Sequence, residues 1–76
     1  MVASIDDYVI AKVKEFRLTK GYSQSYIANE LNVSVGFIGM VESSKYSNHY
    51  NLKHLNKLAE VLECSPKDFL PDNPIL

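Results

Sequence analysis

The sequence contains a single cysteine, Cys64. One thiol cannot close an internal disulfide, so folding does not depend on an oxidising compartment. No apolar run approaches the roughly 18 residues that a membrane-spanning helix needs. The stretch Met1 to Asp7 has no basic residue and carries two acids, which is not the pattern of a secretory signal. These absences set the expectation of a cytoplasmic protein that does not enter a membrane. There is no Gly-rich phosphate loop and no clustered carboxylate pair. His49 and His54 are five residues apart, which is not a helical metal-ligand spacing, so both read as solvated or packing residues. Cys64 has no base in a recognisable arrangement and reads as a small buried hydrophobe. No enzyme, no metal and no cofactor is expected.

What remains is the composition of an ordinary globular chain, 46% apolar and 22% charged over 76 residues. That length fits one domain, 1–76, with residues 1–4 and 71–76 as flexible ends. The expectation is one module, with any effector-sensing or catalytic domain on another chain.

The net charge of −1 argues against a nucleic-acid partner, because neutralising phosphates supplies most non-specific affinity. Its distribution argues differently. Between Ser43 and Lys57 stand Lys45, Lys53, Lys57, His49 and His54, with no acid. From Leu58 onward Glu60, Glu63, Asp68 and Asp72 face Lys67 alone. One end is locally basic and the other acidic.

The periodicity predicts an all-α, compact five-helix fold. The first helix spans about Ile5 to Thr19, capped by Ser4, with Ile5, Val9, Val13 and Phe16 as its apolar stripe and Gly21 ending it. The second runs from Gln24 to Leu31 after the cap Ser23, with Ile27, Ala28 and Leu31 facing inward. The third runs from Val35 to Ser43 after the cap Ser34, with Ile38 and Val41 inward. Asn51 caps the fourth, from Leu52 to Leu62, which carries Leu52, Leu55, Leu58, Ala59 and Leu62 on one face. Ser65, Pro66 and Asp68 open a short fifth helix with a capping-box pattern, and Phe69 and Leu70 plug the bundle.

The second and third helices are joined by Asn32, Val33 and Ser34. Ala28 is small where the two helices cross, Asn32 tolerates the positive φ of a tight turn, Val33 pins the turn to the core and Ser34 caps the next helix. Each feature alone is common in helical bundles. In this order and spacing they describe a helix-turn-helix whose second helix presents its other face outward.

Across Val9 to Leu70 the sequence resembles the lambda-repressor/Cro-like, or XRE-type, helix-turn-helix domains. The matching residues are Arg17, Gly21, Ser23-Gln24, Ala28, Leu31, Val33-Ser34, Ile38, Val41-Glu42, Lys45, Leu55, Leu58-Ala59, Leu62, Ser65-Pro66 and Phe69-Leu70. The resemblance implies a regulator that binds double-stranded DNA, working as a homodimer that inserts helix 3 into the major groove. It implies that Gln24 and Ser23 contact a phosphate, that Gln24 braces helix 3, and that Arg17 and Glu42 form a partly buried structural ion pair. It places base reading at Val35, Gly36 and Met40, and adds Ser43, Ser44 and Lys45 as phosphate contacts. With Ser34 at the helix start and Phe37 and Gly39 on the outward face, these residues make up the candidate DNA-binding set. The fifth helix and the Pro-rich tail, with Ile75 and Leu76, are the candidate dimer contact.

The chain departs from the family pattern in two places. Val35, Gly36 and Met40 carry no side chain able to make a bidentate hydrogen bond to a base, leaving thymine methyl contact, close backbone approach and DNA shape. Ser44 stands where a glycine is common, so either the turn is looser or Ser44 takes an uncommon conformation. The apolar face also admits an alternative, a protein-interaction or antitoxin-like module that grips its partner with Phe37 and Met40. Phe37 has a further reading, folded back on helix 2 as core.

Overall fold

The computed structural model describes residues 4–76. Residues 1–3 of the expected flexible N-terminal end lie outside the described residues. Four α-helices follow in order, α1 (Ile5–Lys20), α2 (Gln24–Leu31), α3 (Val35–Glu42) and α4 (Leu52–Val61), and a 3₁₀ turn, Pro66–Phe69, closes the series. The expected fifth helix is thus one 3₁₀ turn of four residues. Pro66 starts it with a preset φ, Ser65 and Asp68 form its capping box, and extended Leu70 stops it before it lengthens. No strand is present among the described residues. No described helix is long and apolar enough to cross a membrane.

Local chemistry sets each boundary. The Ser4 hydroxyl accepts the Asp7 N–H at 3.1 Å, and Asp6 and Asp7 complement the helix dipole. Gly21, at φ +75°, ends α1 in the left-handed region, and its N–H donates to Leu18 O. Ser23 accepts the Tyr26 N–H at 3.0 Å to start α2. Asn32, at φ +58°, ends it, with Val33 N–H donating to Ala28 O at 3.0 Å. Ser34 accepts the Phe37 N–H at 3.1 Å to open α3. Glu63 takes a positive φ of 57° after α4, without the glycine that would have announced such a turn. Its carboxylate meets Lys20 Nζ at 2.6 Å, which links the ends of α1 and α4 at the surface.

One continuous core joins these elements. Val9 and Val13 of α1, Ile27 and Ala28 of α2, Ile38 and Val41 of α3, and Leu55, Leu58, Ala59 and Leu62 are all buried around Phe69. The ring of Phe69 is fully enclosed and meets Phe16 edge-on at 5.5 Å. Three expected core residues stand outside it. Leu70, extended after the 3₁₀ turn, is 41% exposed and does not plug the bundle with Phe69. Ile5 and Leu52 are 47% and 80% exposed, because each occupies the first position of its helix, beyond the edge of the elements that pack on it. Tyr50, in the segment expected to be a polar connection, is buried instead.

Candidate nucleic-acid interface

The site begins with the charge that the core encloses. Arg17, near the end of α1, donates from Nε and Nη2 to Glu42 Oε2 and Oε1, both at 2.9 Å. Its Nη1 donates to the Tyr22 carbonyl at 2.7 Å. The two side chains are only 9% and 4% exposed. Gln24, the first residue of α2, donates from Nε2 to Glu42 Oε1 at 2.9 Å. A carboxylate only accepts hydrogen bonds, so the orientation of the Gln24 amide is fixed, with its oxygen turned away from Glu42. The start of α2, the end of α3 and the end of α1 are thereby clamped by one carboxylate. Tyr22 O is a member that sequence reasoning missed, since a backbone carbonyl carries no signal of its own.

The clamp sets the outer face of α3. Val35 is 50% exposed and Gly36 is exposed, while Gly39 and Met40 are half-buried. A methyl group built on Gly36 would meet only Ser34 Oγ, at 3.9 Å, and one on Gly39 only Gln24 Oε1, at 3.8 Å. An added methyl group would thus make only an ordinary van der Waals contact at either glycine. Neither is required by φ, so Gly39→Ala should raise stability by about 0.5–1 kcal/mol through helix propensity. The same methyl group should weaken duplex binding. Urea unfolding and DNA titration of the one variant check both signs.

Phe37 does not stand on this face. It is half-buried and turned toward α4 and the segment before it, with its ring 5.5 Å from that of His54 and 6.4 Å from that of Tyr50. It packs there against the buried core, with Tyr50 and His54 as its aromatic neighbours. Beside the face, Ser43 is half-buried and its Oγ accepts the Lys45 N–H at 3.3 Å, while Ser44 and Lys45 are exposed. Ser44 has no positive φ, so the turn after α3 is the looser of the two alternatives. Ser43 itself is extended, at φ −94° and ψ 134°. A groove between this segment and the start of α1 is lined by Ser43, Ser44, Asn48 and His49 on one side and by Asp6, Asp7 and Lys14 on the other.

His54 is a second feature that the sequence did not announce. Its Nδ1 accepts the Asn51 N–H at 3.1 Å, and Asn51 Oδ1 accepts the His54 N–H at 2.8 Å, a capping box with histidine as its third member. Only a neutral imidazole has an accepting nitrogen. Burial against Phe37 and Tyr50 lowers its pKa below 6.5, and His49 adds to the shift. The unfolded chain therefore binds this proton more readily than the folded one. Stability from this group is complete above about pH 6.5 and is lost as pH falls through that value and on through the lower folded value. In His54→Gln the amide oxygen can take over the cap without titrating. Melting curves from pH 7.5 to about 5 should fall less steeply for this variant than for the parent. Equal slopes would remove His54 as the cause. Burial also pushes the Tyr50 phenol well above its ordinary range, with the Glu42 carboxylate adding to it.

The helix-turn-helix family profile matches residues 13–69. The chain belongs to this family. It is a helix-turn-helix protein of the XRE type, and its family and fold are those of DNA-binding transcriptional regulators. Among curated proteins none matches the sequence. Solved structures do. SinR, a master regulator for biofilm formation seen in complex with DNA, superposes with a TM-score of 0.67 at 26% identity, covering 80% of this chain and 95% of that one. The restriction-modification controller protein C.AhdI from Aeromonas hydrophila gives 0.69 at 25% identity, covering 83% and 92%. A SinR/SinI protein complex gives 0.69 at 25% identity, covering 84% of this chain and 61% of that one.

Proposed function

We propose that this helix-turn-helix protein regulates transcription in the cytoplasm by laying the outer face of α3 in the major groove of duplex DNA. The observation that carries this reading is the clamp of Arg17, Glu42 and Gln24, which ties α2 to α3 while leaving Val35 and Gly36 exposed. Ser23 and Gln24 at the N-terminus of α2 and Ser43, Ser44 and Lys45 after α3 flank that face, and they serve as phosphate contacts. Ser34 caps α3 and Met40 closes its far side. Phe37 acts by positioning, since it ties α3 to α4. The protein works as a homodimer through its C-terminal end, where Leu70 and Leu76 are exposed. Half-sites then lie about 34 Å apart, one turn of the duplex.

Selection from random duplex DNA at low and near-physiological salt tests the reading. Enrichment of a palindromic site is expected, with affinity falling steeply as salt rises. Lys45→Ala should weaken binding across sequences and reduce the salt slope by about 1. Gln24→Ala should lose affinity and register together. No enrichment at either salt by a folded, helical protein would contradict the proposal.

The second reading is a protein partner, which the SinR/SinI assembly and the net charge of −1 favour. The half-burial of Phe37 and Met40 weighs against it, because neither offers the exposed anchor such a contact needs. Binding that is insensitive to salt would select it.

A further inference from the structure

We infer that α3 recognises thymine by its C5-methyl group, with Val35 as the side chain that touches it. This rests on the DNA-binding reading and adds to it what the face selects. Between Ser34 at one end and Ser43 at the other, α3 has no polar side chain on its outer face. Val35 is 50% exposed on the first turn, the part of a recognition helix that meets base edges. Gly36 and Gly39 put no side chain between the α3 backbone and its surroundings, since only Ser34 Oγ and Gln24 Oε1 approach their empty Cβ positions, at 3.9 and 3.8 Å. Val35 can therefore be carried deep into the groove.

Of the four bases, only thymine offers an apolar group in the major groove. The one polar atom beside Gly39 does not choose between base pairs. Glu42 holds the donor end of the Gln24 amide, which leaves its carbonyl oxygen toward Gly39. An acceptor there suits an amino group, which adenine and cytosine both present, so the thymine assignment rests on the apolar contact of Val35. The usual contact, a basic side chain forked onto guanine, has no counterpart on this helix.

The test uses synthetic duplexes carrying the site enriched by selection, with each thymine replaced in turn by deoxyuridine. Uracil lacks only the methyl group and keeps every base-pairing hydrogen bond. Affinity should fall about fourfold for each contacted methyl removed, at symmetric positions in the two half-sites. Val35→Ala should bind the thymine duplex more weakly and bring the thymine-to-uracil ratio at that position toward one. Circular dichroism confirms the fold of this variant, whose side chain is half exposed. Equal affinity for thymine and uracil duplexes at every position, by a protein that binds DNA, would overturn methyl recognition alone. A ratio unchanged in Val35→Ala would overturn the assignment to Val35. Absence of binding to any duplex would overturn both this inference and the function on which it rests.

Discussion

Arg17→Ala is expected to destabilise the fold by about 3–5 kcal/mol, because it leaves the Glu42 carboxylate enclosed without its charge partner. The Glu42 side chain is 4% exposed, so water cannot replace the guanidinium without opening the structure. A chain of this size holds about 4–11 kcal/mol in all, at the usual stability per residue. The variant should therefore be largely unfolded at moderate urea concentrations where the parent is intact. The pairing itself is a different quantity from the cost of breaking it. Arg17→Met combined with Glu42→Leu removes both charges, and most of the loss should be recovered. About 1 kcal/mol each should remain for the Tyr22 carbonyl and the Gln24 amide, which lose their partners. Urea unfolding followed by far-ultraviolet circular dichroism separates the single and double variants. The double variant should still bind DNA poorly, because nothing then orients Gln24. A single variant as stable as the parent would show that the clamp does not hold α1 to α3.

Phe69→Ala should cost a similar 3–5 kcal/mol, by a different route. The ring has no exposed surface and sits where the 3₁₀ turn packs on both α1 and α4. Its removal leaves a cavity bounded by Phe16 and by helices already fixed to one another, which cannot collapse into it fully. For a protein of this length each kcal/mol shifts the melting temperature by about 4–8 °C, so a fall of roughly 12 °C or more is expected. Phe69→Leu, which keeps most of the volume, should lose much less. Equal losses for leucine and alanine would mean that the edge-on contact with Phe16, and not the filled volume, carries the energy.

The helix-turn-helix was legible in the sequence because its signals are local. Ser23, Asn32 and Ser34 each act on backbone groups within four residues, and each is found at the cap expected of it. The Gln24–Glu42 and Arg17–Glu42 contacts join residues 18 and 25 apart, so only the family resemblance pointed to them. The cluster of Phe37, Tyr50 and His54 had no such pointer. It depends on how closely α3 approaches α4, which no periodicity reports. For the same reason a capping role for His54 was invisible, since histidine is not a usual third member of a capping box. Leu52 and Ile5 fitted their apolar stripes but lie at helix starts, where periodicity cannot tell that the covering element has ended. The 3₁₀ turn carried the cap and proline of a helix, and only its length of four residues separated the two outcomes.

The central claim is that the outer face of α3 lies against duplex DNA. Its most direct test is to titrate the isotopically labelled protein with the selected duplex and follow every backbone amide by nuclear magnetic resonance. The largest shifts are expected at Gln24, from Ser34 to Met40 and from Ser43 to Lys45, with Gly36 and Gly39 foremost. Shifts that spare α3 and gather elsewhere, for instance around Leu18, Glu60 and Glu63, would contradict it.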